Sequence, residues 1–382
     1  MKFFYFLFIV LIVSCSKNAS DVDNSQTKVL SGCDSISKKL IVATYKDSIR
    51  LSSCFVFSRA DSLYFFPNSF TNKIVTIAGN GTNSSTGDGA LAINSTLSTP
   101  RYLLYDRKNG DIIIQDQGSG AGIRKISSNG IISKAVNTIG IGGINGFTFD
   151  NSGNYFFTIF DVVNGPVIKK LTPTGVLTKI AGTGSNGCIG DGSQALDAQL
   201  SYPIQIIIDN SNNIIFVNEC GIRKISTTGI ITKFCDLTRV SDFIYDKYTG
   251  DMYASSNNGV GDESIIWKIS SDGTKTRIAG GGGFYQDGAK ALDVKIYCSG
   301  IAVDNIGNIY FTDAINHKIF KIFKSGIIYS IGGNGVAAYS GDNGNSVLAS
   351  MNRPFGIILD NEGNLVFSDL LNHRIRKIIL SK

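Results

Sequence analysis

The chain has 382 residues, of which 43% are hydrophobic and 17% are charged, and its formal net charge is +6 at pH 7. Its 43 glycines and the scarcity of helical patterns indicate a β-rich protein, and its length is ample for one large repeat domain. The basic residues are spread along the chain instead of forming a patch, which argues against a nucleic-acid partner.

The N-terminus has the pattern of an export signal. One lysine precedes the apolar run of residues 3–13, which is too short to span a bilayer as a helix but fits the core of a secretory signal. Ser14-Cys15 follows, and a small residue before a cysteine resembles a bacterial lipoprotein cleavage box. We therefore predict a signal peptide over residues 1–14, acylation of Cys15 and lipid anchoring in the cell envelope, at the outer membrane. The alternative is a plain signal peptide cut elsewhere.

Two short segments precede the repeats. Residues 15–32 are rich in Ser, Asn and Asp and are predicted to form a flexible tether. Residues 33–70 contain three strand-like runs, at 40–45, 53–57 and 63–66, so we expect a short N-terminal β segment, with a degenerate seventh blade as the alternative.

Residues 71–382 are predicted to form one repeat domain, whose clearest unit is residues 303–335. This unit reads as four short strands with a tight turn at 304–308. An Asp opens the same turn in six units: Asp106, Asp150, Asp209, Asp246, Asp304 and Asp360. One such meander cannot cover its own faces, so the copies must stack. The expected fold class is all-β, a six-bladed β-propeller of four-stranded antiparallel blades.

Strand counting predicts how the ring closes. The last unit ends after its third strand, whereas residues 73–79 have the sequence of a fourth strand and precede the first complete unit. We predict that residues 73–79 complete the blade of residues 354–380.

The segments VDNIGNIYFTDAINHKI and LDNEGNLVFSDLLNHRIRKI, with AGTGSNGCIGDGSQALDAQLSYP between earlier units, resemble the NHL-repeat family of six-bladed propellers over residues 73–382. The copies at Phe149 and Tyr245 depart from the Asn-His pair. Some relatives are amidating lyases with metal-bound histidines, but His317 and His373 occupy the same place in their units, which favours a packing role.

Four long connections lie between a fourth strand and the next first strand, at residues 80–99, 183–202, 281–297 and 333–353. Each contains an Asp close to Gly: Asp88, Asp191, Asp287 and Asp342. These acids are either oxygen ligands for calcium or sugar hydroxyls, or they satisfy their own turns, and we favour turns. The repeated Arg-Lys pairs of the third strands are expected to form a solvated or inter-blade feature. The position that ends strand two is expected to cap turns.

The first strands surround the axis, and the residue four before each turn Asp varies: Tyr102, Gly146, Gln205, Asp242, Gly300 and Gly356. Variation at the pore mouth predicts ligand contacts at Tyr102, Gln205 and Asp242. Tyr285 and Tyr339 on the long loops are predicted stacking platforms. Asp242 is the candidate metal ligand, for calcium, and no other cofactor is indicated.

Six cysteines follow Cys15, and Cys33–Cys54 and Cys220–Cys235 are the favoured disulfides. The absence of a CxxC motif makes zinc a poor interpretation.

The functional hypothesis is a non-catalytic, membrane-anchored recognition or scaffold module. It would be a monomer whose long-loop face binds a glycan, peptide or protein, and no catalytic residue is assigned. The alternative is a propeller enzyme of the hydrolase, lactonase or lyase type with a central cation.

Overall fold

The computed structural model describes residues 72–118, 122–138, 140–161, 163–257 and 263–381, together with four strands before residue 72. The chain divides into two compact units, Met1–Thr71 and Asn72–Lys382. The first unit contains one sheet with the strand order β2-β1-β3-β4. Its strands are β1 (Val10–Val13), β2 (Leu40–Ala43), β3 (Cys54–Arg59) and β4 (Ser62–Pro67).

Strand β1 lies inside the predicted signal peptide, so cleavage after residue 14 would remove it. Cys15, the predicted tether and the cysteine at position 33 lie outside the described residues. The signal, the acylation site and the segment boundaries therefore stay predictions.

The second unit is a six-bladed propeller of four-stranded antiparallel sheets, as the repeats predict. Blade 6 begins the unit with β5 (Lys73–Ala78). Blade 1 contains β6 (Pro100–Asp106), β7 (Asp111–Asp116), β8 (Gly122–Ile126) and β9 (Ile132–Lys134). Blade 2 contains β10 (Ile144–Phe149), β11 (Tyr155–Asp161), β12 (Gly165–Leu171) and β13 (Leu177–Ala181). Blade 3 contains β14 (Ile206–Ile208), β15 (Ile214–Asn218), β16 (Gly221–Ile225) and β17 (Ile231–Cys235).

Blade 4 contains β18 (Val240–Tyr245), β19 (Met252–Asn257), β20 (Ser264–Ile269) and β21 (Lys275–Ala279). Blade 5 contains β22 (Cys298–Val303), β23 (Ile309–Asp313), β24 (Lys318–Ile322) and β25 (Ile328–Gly332). Blade 6 is completed by β26 (Pro354–Leu359), β27 (Leu365–Asp369) and β28 (Arg374–Ile379).

Blade 6 closes the ring without a covalent link, as predicted. Strand β5 pairs with β28, in a register that places Ile74 opposite Ile378. Both residues are fully buried, so the first and last strands of the propeller share one core. Hydrophobic burial at this seam therefore holds the ends of the ring together.

The tight turn after each first strand is organised by its Asp. In blade 5, Asp304 Oδ1 accepts hydrogen bonds from the backbone N–H groups of Ile306 and Asn308, and Oδ2 accepts one from Asn308 Nδ2. Gly307 has φ +90°, a conformation that glycine adopts without strain. Local side-chain bonding thus explains why the turn motif is the most regular part of the repeat.

Four of the six blades have a covered outer edge. The long loop that enters blade 1 runs along β9, where Ala92 N–H donates to the Gly130 carbonyl and Ile132 N–H donates to the Ala90 carbonyl. The same pairing recurs on β17, β25 and β5. Strands β13 and β21 receive no long loop, and their exposed edges carry Lys179 and Lys275. A protected or charged edge disfavours pairing with other chains.

The described residues contain short 3₁₀ helices at Ala92–Asn94, Ala195–Asp197, Ala291–Asp293, Ser346–Leu348 and Leu370–Asn372, and no α-helix. None of these helices approaches the length and hydrophobicity that a membrane span requires.

The cysteine pairing differs from the prediction. Cys188 forms a disulfide with Cys220, with their Cα atoms 5.6 Å apart, whereas Cys235 is a free, buried thiol. Cys220 lies in the turn after β15, on the face where the long loop carries Cys188 towards it. Cys235 ends β17 and packs into the hydrophobic core between blades 3 and 4, so the predicted Cys220–Cys235 pair is wrong. The predicted partner pair at positions 33 and 54 lies outside the side chains that the structure describes.

Candidate functional site

Three of the four long loops are anchored by a buried arginine on the third strand of the following blade. In blade 6, Arg376 donates to Asp342 Oδ1 at 2.7 Å and to Asp369 Oδ2 at 3.2 Å, and also to the carbonyls of Ser340 and Ser350. The guanidinium is fully buried. These charge-assisted bonds fix the loop on its blade.

The same arrangement recurs in blades 1 and 3. Arg124 donates to Asp88 and Asp116, and Arg223 donates to Asp191. The prediction of a solvated or inter-blade feature is wrong for these arginines, because each reaches inward to the loop that precedes its own blade.

The equivalent third-strand position of the other blades carries a different side chain. Blade 5 has Phe320, and the ring of Tyr285 packs edge-on against it with the centroids 4.7 Å apart. In blade 2, Lys169 Nζ donates to the Ile141 carbonyl, and in blade 4, Trp267 Nε1 donates to Ser256. The position therefore holds the preceding connection in blades 1, 2, 3, 5 and 6, whereas in blade 4 it bonds to the neighbouring strand of its own blade.

Each loop aspartate bonds to a neighbouring group: Asp88 and Asp191 to an arginine, Asp287 to the backbone N–H of Ser330, and Asp342 to several donors. Both oxygens of Asp342 accept hydrogen bonds, from Arg376, Thr76 and Tyr339. Burial raises the pKa of Asp342, but these hydrogen bonds outweigh it and hold the pKa below its usual value. The favoured interpretation of the Asp-Gly loops, that their acids serve local structure, agrees with this geometry.

The two histidines have equivalent structural roles. The backbone N–H of Arg353 donates to His317 Nδ1 at 3.1 Å, and that of Thr99 donates to His373 Nδ1 at 3.3 Å. Each histidine has φ near +54° and joins its blade to the next one. Nδ1 of each imidazole must be unprotonated to accept its hydrogen bond. Burial lowers the pKa of both histidines, which favours this neutral form.

The variable position of the first strands, four residues before each turn Asp, holds glycine in three blades and a larger side chain in the other three. At Gly146, Gly300 and Gly356 a Cβ atom would lie within 2.4 Å of a backbone carbonyl of the next blade, so these glycines allow the first strands to pack closely. Blades 1, 3 and 4 carry Tyr102, Gln205 and Asp242 there instead.

These three predicted residues form one axial cluster. Gln205 Nε2 donates to Asp242 Oδ1 at 3.0 Å, and both residues lie close enough to Tyr102 to affect the pKa of its hydroxyl group. The guanidinium of Arg101 lies over two aromatic rings. Its Cζ atom is 5.0 Å from the centroid of the Tyr102 ring and 4.8 Å from the centroid of the Phe355 ring. Arg101 and Phe355 belong to the cluster although neither occupies the variable position that predicts it.

Burial sets the electrostatics of the axial cluster. Desolvation raises the pKa of Asp242 to about 7, against the backbone hydrogen bonds from Ile301 and Phe243 and the charge of Arg101, which lower it. Desolvation also raises the pKa of Tyr102 to about 12. The cluster therefore holds a carboxyl group that changes its charge near neutral pH.

Tyr285 and Tyr339 are not part of this cluster. Tyr285 packs on Phe320 and donates to Asp287. Tyr339 donates to Asp342 at 2.8 Å, and the Arg374 guanidinium lies 3.7 Å from the centroid of its ring. Both tyrosines thus brace the long loops that carry them, and their predicted role as stacking platforms for a ligand stays a prediction.

A cleft of about 380 Å³ opens between blades 3 and 4 on the long-loop face. Its exposed rim is formed by Tyr202, Glu219, Thr238 and Arg239. Its inner wall is formed by Ile204, Val217, Asn218 and Val240. The two walls of this cleft come from different repeats, so no pattern within one repeat predicts it.

The cleft is rigidly framed. Ser201 Oγ donates to Glu219 Oε2 at 2.6 Å, and the Tyr202 ring packs edge-on against Phe160 with the centroids 4.8 Å apart. The Cys188–Cys220 disulfide ties the long loop to the turn that carries Glu219. The rim therefore combines a positive, a negative and an aromatic side chain in fixed positions.

The long-loop face also exposes apolar side chains. The largest exposed fractions on these loops are 97% at Phe284, 71% at Leu348 and 66% at Ile189. The loops that carry them are held by the internal anchors, so these side chains are presented on a stable surface.

No protein-family model matches the chain. Among curated proteins, the chain is 27% identical to mouse (Mus musculus) teneurin-3 over 263 residues, a match that covers 56% of this chain and 10% of that protein. The chain thus spans about a tenth of the length of the curated relatives it matches.

Solved structures share the fold at low sequence identity. A Bacteroides ovatus protein described as an auxiliary nutrient binding protein has a TM-score of 0.62 at 13% identity, covering 93% of this chain and 89% of that one. A Bacteroides thetaiotaomicron protein of unknown function has a TM-score of 0.61 at 16% identity, covering 98% and 90%.

Proposed function

We propose that this chain is a non-catalytic recognition module of the NHL-repeat type, which binds a glycan, peptide or protein through its long-loop face. The observation that carries the proposal is the anchoring of the loops. Buried arginine–aspartate pairs hold the loops that expose Ile189 and Leu348, and the packing of Tyr285 on Phe320 holds the loop that exposes Phe284. A stable apolar surface of this kind is typical of interaction sites. The fold shared with an auxiliary nutrient binding protein is in line with a binding role.

The proposal includes the cellular location of the protein. Residues 1–14 would be removed as a lipoprotein signal, and Cys15 would carry the lipid that anchors the tethered propeller in the bacterial envelope. Metabolic labelling with a palmitate analogue tests this step, because labelled protein should be lost in Cys15→Ala. Labelling that persists in this variant would refute acylation at Cys15.

The binding role is tested with panels of glycans and peptides probed with the labelled full chain. The variant Phe284→Ser/Leu348→Ser/Ile189→Ser alters the long-loop face without touching the anchors. Its matched control, Ile306→Ser/Tyr248→Ser/Val176→Ser, changes residues that are 64%, 59% and 54% exposed on the short turns of the opposite face.

We expect the control to keep the binding profile of the parent chain and the long-loop variant to lose it. Equal loss in both variants, or unchanged binding in the long-loop variant, would count against recognition by this face.

The enzyme alternative depends on a central cation at Asp242. Both oxygens of this carboxylate already accept hydrogen bonds, one from Gln205 and the other from the Ile301 N–H at 2.7 Å. Arg101 adds a positive charge nearby. A calcium ion would have to displace these donors, so recognition is the function that the geometry supports better. Calorimetric titration of calcium into the metal-stripped chain and into Asp242→Asn is the test, and binding that disappears in the variant would favour the enzyme.

A further inference from the structure

We propose that the cleft between blades 3 and 4 binds a small organic carboxylate. This inference rests on the proposed recognition function and names the ligand chemistry of one site on the long-loop face. Its volume of about 380 Å³ is at the lower end of the range for small-molecule sites, so the ligand is of the size of a sugar acid or an acylated amino acid.

The wall of the cleft contains a hydrogen-bond donor without a partner among the described residues. Asn218 is only 2% exposed, and its Oδ1 accepts the backbone N–H of Cys220 at 3.1 Å, which fixes the orientation of the amide. Its Nδ2 has no partner among the described residues. A buried amide donor without a partner is costly, and an acceptor oxygen supplied by a ligand would satisfy it.

The other two arginine-bearing blades carry an acid at the position of Asn218. The position of Asn218 holds Asp116 in blade 1 and Asp369 in blade 6, and each of these carboxylates lies 3.2 Å from the third-strand arginine. Blade 3 keeps the arginine, Arg223, but has an amide in place of the acid. The wall of this cleft therefore lacks the negative charge that the other two arginine-bearing blades carry at this position.

The rim of the cleft carries groups that suit an organic carboxylate. Arg239 is exposed on one side, and none of the described residues bonds to its guanidinium, so it is available for a carboxylate. Glu219 on the other side accepts from Ser201 and can accept a hydroxyl or N–H group of the same ligand. Tyr202 and the apolar residues Ile204 and Val240 offer contact to the rest of the molecule.

The test measures binding of carboxylates and their neutral analogues to the full chain by calorimetry and ligand-observed NMR. The two arms are D-galacturonate against D-galactose, and N-acetyl-L-leucine against N-acetyl-L-leucine amide. We expect at least one carboxylate to bind on the order of 10-fold more tightly than its analogue, which corresponds to one charge-assisted contact. The arm that binds identifies whether the source is a sugar acid or an amino-acid derivative.

Two variants examine the contacts separately. Asn218→Asp installs the residue of blades 1 and 6, so we expect it to fold and to lose the preference for the carboxylate. Arg239→Ala should weaken carboxylate binding about 10-fold. Its matched control is Arg353→Ala, because Arg353 is an exposed arginine with φ +54°, close to the +53° of Arg239, at the same position of blade 6.

The proposal is overturned if neither carboxylate binds at millimolar concentration, if each neutral analogue binds as tightly as its carboxylate, or if Arg239→Ala and Arg353→Ala have equal effects. Failure here is distinguishable from failure of the proposed function. Panel binding that depends on Phe284, Leu348 and Ile189 but not on Arg239 would preserve recognition by the long-loop face and reject only the carboxylate cleft.

Discussion

Replacement of Arg376 by Ala tests whether the buried anchors hold the propeller together. The change leaves the carboxylate of Asp369, which is fully buried, without its cationic partner and removes two donors from Asp342. The carbonyls of Ser340 and Ser350 also lose their hydrogen bonds. Five contacts to one buried guanidinium are lost together.

Removing one partner of a buried ion pair costs about 3–5 kcal/mol, because the other charge remains in a site of low polarity. We expect the free energy of unfolding to fall by about 4 kcal/mol at pH 7. The loss should be smaller at pH 5. Burial already raises the pKa of Asp369, and without Arg376 it rises further, so protonation relieves the unpaired charge as the pH falls.

Urea unfolding measures this effect by circular dichroism and by the fluorescence of the single tryptophan, Trp267 in blade 4. The control is Lys125→Ala, since Lys125 is a third-strand lysine whose pair with Asp111 is 37% exposed on the lysine side. This exposed pair should contribute less than about 1 kcal/mol. A loss in Arg376→Ala as small as that of the control, or one that does not vary with pH, would refute the reasoning. A circular dichroism transition at lower urea than the fluorescence transition would show that another part of the propeller opens before blade 4.

The remaining predictions concern protonation and redox chemistry. The lowered pKa of His373 means that the folded chain keeps it neutral, so stability should decrease as the pH falls below about 6.5, and His373→Asn should reduce this dependence in urea titrations at pH 7 and pH 5. Peptide mapping of the non-reduced chain should recover the Cys188–Cys220 link, and replacing both cysteines by Ser should cost about 3 kcal/mol; a Cys220 peptide linked elsewhere would contradict the structure. The carboxyl ¹³C shift of Asp242 should titrate near pH 7, with stability decreasing as the pH rises through that value, and a midpoint near 4 would show that this carboxyl is not desolvated.

The sequence contains a signal for the buried arginine–aspartate pairs, because each arginine occurs together with one kind of loop. Arg124, Arg223 and Arg376 occur only in the units whose preceding long loop carries Gly-Asp-Gly or Gly-Asp-Asn-Gly. The unit whose loop has Gln-Asp-Gly carries Phe320 instead. Because an ion pair requires both partners, this correlation between loop and strand was a usable signal for a buried contact.

The sequence by itself determined the blades, their order and the closure by residues 73–79, because strand alternation and Asp-Gly turns are local patterns that repeat in register. It also brought Tyr102, Gln205 and Asp242 to one place, since equivalent positions of a cyclic repeat must meet at the axis. Only the tertiary structure decided which side chains share a site away from the axis. The pairing of Cys188 with Cys220 and the cleft of Asn218 and Arg239 depend on how loops and neighbouring blades approach one another. That approach is set by packing between residues far apart in the chain, and no periodic pattern records it.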